Sequence, residues 1–64
     1  MFYRIEESVG AHYITWEGIH DTPESAMRAI QKQLGMTQSL LAVLKGRVQI
    51  VLYVRGESKG PVRA

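Results

Sequence analysis

The chain has no cysteine and no apolar run of membrane-spanning length, and its 64 residues hold only two prolines, one phenylalanine and one tryptophan. Without cysteine there is neither a disulfide framework nor a thiolate metal site, so the usual staples of a very small domain are missing. The same absence fits a reducing compartment, and a cytoplasmic location is expected. The N-terminal "MFYRIEES" carries an acidic pair where a secretory leader needs a long apolar core. The six glycines are scattered rather than grouped after a strand, so no phosphate-cradling loop forms and no cofactor is expected. Charge of one sign is scarce too. Eight Lys and Arg against six Asp and Glu leave a net charge of +2, short of the strongly positive stripe of a typical nucleic-acid binder.

Sixty-four residues make one domain, near the lower limit at which a single core sustains a fold. Packing must supply its stability, and packing against a second copy is one way to extend it. Little surface remains for an enclosed active site.

In "FYRIEE", Tyr3 and Ile5 alternate with Phe2, Arg4 and Glu6, as a strand requires. "SVGA" supplies a reversal, and "HYITWEG" resumes the alternation with His12, Ile14 and Trp16 against Tyr13, Thr15 and Glu17, giving a hairpin. "HDTPESAMRAIQKQLG" reads as a helix. Thr22 caps it, with Asp21 and Glu24 as a rival capping box. Pro23 suits the first helical position, Ala26, Met27, Ile30 and Leu34 form the apolar stripe, and Gly35 ends it. "SLLAVL" is read as a buried strand joined to the next by a tight turn at Lys45 and Gly46. A short helix capped by Thr37 and ending at Gly46 is the alternative, since short apolar runs do not reveal their period.

"RVQIVLYVRG" alternates most cleanly. Val48, Ile50, Leu52 and Val54 point to the core, leaving Arg47, Gln49, Val51, Tyr53 and Arg55 on the other face. The final "GESKGPVRA" has few apolar groups to offset its ordering entropy. The expected architecture is therefore α+β in ββαββ order, an antiparallel sheet with one helix on one face, over residues 1–56, with 57–64 a flexible tail.

Candidate chemistry is sparse. Glu17, His20 and Asp21 in "WEGIHD" lack any ligand spacing and read as a loop entering a helix cap. Ser8, Ser25 and Ser39 have no nucleophile context, so neither a catalytic nor a metal site is expected and the protein is read as a non-enzyme. "TQSLLAVLKG" matches the first half of a helix-turn-helix, but "RVQIVLYV" alternates with period two where a recognition helix should stand. What remains is Arg47, Tyr53 and Arg55 on one sheet face, residue types enriched at binding hot spots, with Val51 among them suggesting a covered surface. A solvated sheet face is the plain alternative. Tyr13 and Trp16 would add apolar contact if exposed, although a core role is the simpler reading of the tryptophan.

The order of "FYRIEES", "HYITWEG", "DTPESAMRAI" and "VQIVLYVRG" is similar in layout and size to small phage-encoded inhibitors, namely anti-CRISPR proteins and inhibitors of bacterial RNA polymerase. That resemblance implies a protein that occludes a surface of a host protein or ribonucleoprotein complex, with Arg47 and Arg55 matching by position the basic residues of a last strand. The same order also resembles a HicB-type antitoxin domain, without that family's usual Gly-Asp-Thr helix approach or DNA-binding extension. The expected function is non-enzymatic binding through Arg47, Tyr53, Arg55, Tyr13 and Trp16. Nucleic-acid binding through the same face, the antitoxin reading and a homodimer remain open alternatives.

Overall fold

The structure is a computed structural model that describes residues 1–62. Strands β1 (Phe2–Val9) and β2 (His12–Thr15) come first, then helices α1 (Pro23–Leu34) and α2 (Met36–Leu44), then β3 (Val48–Val54) and β4 (Glu57–Pro61). All neighbouring strands are antiparallel, in the order β2-β1-β3-β4. The α+β class and the covered sheet face agree with the sequence reading, but the order is ββααββ.

β1 is bonded along both edges. Beyond the four residues of β2, the chain runs back along β1 through a Trp16 N–H to Ile5 carbonyl bond (2.8 Å) and a reciprocal Tyr3–His20 pair (2.8 and 2.9 Å). Entry to α1 is fixed by Thr22, whose hydroxyl accepts the Ser25 N–H at 3.1 Å with Pro23 in the first turn, so the cap lies at Thr22 rather than Asp21. Ala26 and Ile30 are fully buried and Met27 half-buried, while Leu34 at the end of the stripe is exposed.

The segment expected as a strand at "SLLAVL" is helical. Its residues are good helix formers, and the turn assigned to Lys45 and Gly46 is a helix stop. Gly46 has φ 73°, its N–H bonds the Val43 carbonyl at 3.1 Å, and the Arg47 N–H bonds the Ala42 carbonyl at 2.9 Å. This 5→2 and 6→1 pair is a Schellman motif, which closes a helix where a hairpin turn would have continued a sheet. Gly35 (φ 84°, ψ 163°) is the single residue between the helices, in a backbone region open to glycine alone.

The strand beside β3 is therefore β4, drawn from the stretch expected to be a mobile tail. Residues 57–61 pair with β3 through a two-residue turn at Arg55 and Gly56, and 63–64 lie outside the described residues. β4 eluded the sequence reading because "ESKGP" has no β-branched or aromatic residue. Lysine, glycine and proline are what blunts an edge strand.

The helices cover one face only. Ile5 from β1 and Val48 from β3 pack with Ala26, Ile30 and Ala42, and Trp16, Met27, Ala29 and Ile50 close around them. With about 3–10 kcal/mol of total stability expected at this length, Ile30→Ala should cost about 2–5 kcal/mol. A urea titration followed by circular dichroism should then show most of the folding free energy gone, and an unchanged midpoint would contradict this account of the core.

Candidate interaction surfaces

The sheet face away from the helices follows from the register. Cross-strand partners share a face, so the face reads in rows: Tyr13 beside Ser8; Thr15, Glu6 and Gln49; Arg4, Val51 and Pro61; Phe2, Tyr53 and Ser58. These side chains hold one another in place. Phe2 and Tyr53 stack with ring centroids 5.3 Å apart and planes 4° from parallel. The Glu6 carboxylate accepts from Gln49 Nε2 at 3.2 Å and from the Tyr53 hydroxyl at 3.4 Å. Arg4 Nη2 donates to the Trp16 carbonyl at 3.3 Å, while its Nε is buried with no partner among the described residues. Val51 is 1% exposed although no helix covers it. Its neighbours in the row, Arg4 and Pro61, flank it, and an arginine stem is apolar enough to shield a valine.

This arrangement does not gather the basic cluster expected from period two. Arg47 and Arg55 flank opposite ends of β3, roughly 25 Å apart at strand rise. Arg47 lines an open cleft with Glu7, Gln33, Leu34 and Gln38 at the helix side. Arg55 lies in the β3–β4 turn. Tyr53 is on the open face but is occupied by Phe2 and Glu6, and the middle of that face carries a carboxylate beside a guanidinium. Tyr13 is exposed at 57% on the edge strand β2. Trp16 belongs to the fold: it packs against the core and its indole N–H donates to Glu7 at 2.9 Å. His20 Nδ1 lies 3.1 Å from the Ser25 hydroxyl, beside the start of α1.

A second surface was missed by the sequence reading. α2 packs inward through Ser39 and Ala42, both buried, and turns Met36 (63% exposed), Leu40 (56%), Val43 and Leu44 (84%) outward. Ser39 donates its hydroxyl to the Met36 carbonyl at 2.8 Å, so its polar group is satisfied within the helix. The outward residues stand at i, i+4, i+7 and i+8, the spacing of one helix face. That signal is present in "MTQSLLAVL", but a strand assignment hides it by sharing the same residues between two sheet faces.

No family model, curated protein or solved structure matches the chain. Among the described residues, no helix is long and apolar enough to cross a membrane.

Arg55 is the one non-glycine residue with positive φ among those described, at 54°, followed by Gly56 at 81°. Both positions of a type I′ turn need positive φ, and Asn-Gly meets that need best. Arg55→Asn should therefore stabilise the fold by about 0.5–1 kcal/mol, read as a higher urea midpoint with unchanged slope. A lower midpoint would mean that the Arg55 side chain stabilises the fold by more than its backbone strain costs.

Proposed function

We propose that the protein is a non-enzymatic binding protein of the small-inhibitor kind, one that occludes a functional surface of a host protein or ribonucleoprotein complex in the cytoplasm. The observation that carries this reading is the uncovered sheet face, whose side chains are ordered by one another rather than by a covering element. The stacked Phe2 and Tyr53 and the Glu6–Gln49–Tyr53 hydrogen bonds present aromatic and polar groups in fixed positions. A surface ordered in advance loses less entropy on binding, and tyrosine adds amphipathic contact area with few rotamers. Tyr13 extends the face to the edge strand and Arg55 stands beyond its far end, which makes them rim contacts. Arg47 faces the helix-side cleft and contributes at that margin. The mixed charge of the face, with Glu6 at its middle, favours a protein surface over a run of phosphates. The phage-inhibitor resemblance rests on layout and size and supplies the mechanism of occlusion.

Affinity capture from a host lysate tests this reading. A discrete protein partner should be retained by the wild-type chain and lost with Tyr13→Asp combined with Arg55→Glu, two exposed positions whose exchange should leave the circular dichroism spectrum intact. Retention should change little between 50 and 200 mM salt, whereas six to ten phosphate contacts would lose about 10³–10⁵ in affinity over that range. Capture of nucleic acid with that steep salt dependence, or full retention by the double variant, would refute the proposed mode.

A further inference from the structure

The outward face of α2 is not accounted for by the sheet-face reading, and it lies on the opposite side of the molecule. Met36, Leu40, Val43 and Leu44 form a row about 12 Å long at helical rise, with Leu41 at its flank and Leu34 exposed just before the inter-helix glycine. In a soluble monomer the largest apolar patch is about 300–600 Å² and is often functional. A nine-residue helix that turns four large apolar side chains to solvent and two small residues inward has the reverse of the ordinary amphipathic arrangement.

We infer that this face is covered by α2 of a second copy, in a two-fold antiparallel pair that crosses near Leu40. Three observations favour a second copy over another occupant. First, α2 has no charged residue, and the polar side chain beside its apolar row, Thr37, carries both donor and acceptor, so the face is complementary to itself without like-charge repulsion. Second, the row is centred on Leu40. Antiparallel pairing therefore sets Leu40 against its counterpart and Met36 against Leu44 of the second copy, while the opposed helix ends place unlike dipole ends together. Third, the internal core is thin, six buried apolar residues of which two are alanine, so the fold gains from burying more.

The test is the solution mass of the full chain by sedimentation, for the wild type and for Leu40→Glu and Leu40→Lys separately and mixed. The wild type should run at twice 7.2 kDa. Each single variant places two like charges at the two-fold and should raise the dimer dissociation constant by about 100-fold or more. An equimolar mixture should regain the dimer, because glutamate then meets lysine. If a variant alone fails to fold, the mixture still decides: a folded heterodimer supports the pairing and no recovery overturns it. A wild-type chain that stays at monomer mass at millimolar concentration overturns it, whether or not it then binds neutral phosphatidylcholine vesicles, and so does a dimer indifferent to Leu40→Glu. None of these variants touches the sheet face, so loss of the pair and loss of partner capture are separate results.

Discussion

The packing of two helices on one face of a four-stranded sheet is the constraint from which the other features follow. Ile5 on the central strand meets Ala26, Ile30 and Ala42 from above, with Ser39 buried beside them. Three of those four helix residues are small. On the inner side of α2 both buried residues, Ser39 and Ala42, are small. With those positions facing the sheet, the larger side chains of α2 stand outward, and because both helices lie on one side, no element among the described residues covers the opposite face of the sheet.

Polar groups are placed to suit that interior. Trp16 closes one end of the core, and its only polar atom finds the Glu7 carboxylate. Ser39 is wholly buried, yet its hydroxyl is spent on a backbone carbonyl one turn earlier, which makes it a spacer of alanine size with no unsatisfied group. On the far side, Glu6 has Gln49 and Tyr53 as partners. Among the described residues the exception is Arg4 Nε, which is buried without a partner beside Val51 on that face.

The parts of the fold legible in the sequence were those with a strong period or a named cap. β1, β2 and β3 showed alternation long enough to assign faces, and the register keeps Ile5 with Ile50 on one side and Glu6 with Gln49 on the other. Thr22, Pro23 and Gly35 bracketed α1 correctly. The two misreadings were coupled. Lys45 and Gly46 suit a hairpin turn as well as a helix stop, and only the bonds from Gly46 and Arg47 back into the helix distinguish them. With "SLLAVL" read as a strand, nothing requires β4, whose pairing is dictated by the turn before it and not by its own residues. For the site, alternation correctly put Tyr53 and Val51 on the face away from the helices. That Arg47 and Arg55 stand at the two ends of the strand is also legible, from their sequence separation at strand rise, but alternation alone, which gives only the side of the sheet, does not express it.

A single sheet separates the two surfaces described, the apolar ridge of α2 on one side and the aromatic and polar face on the other. Occupying one would leave the other free, so the two proposed contacts would not compete. Copies joined back to back through their helices would hold two recognition faces pointing in opposite directions. Such a particle is a bivalent clamp: on a target that repeats along a filament or within a multi-subunit assembly, its second grip would benefit from effective concentration rather than from any new contact.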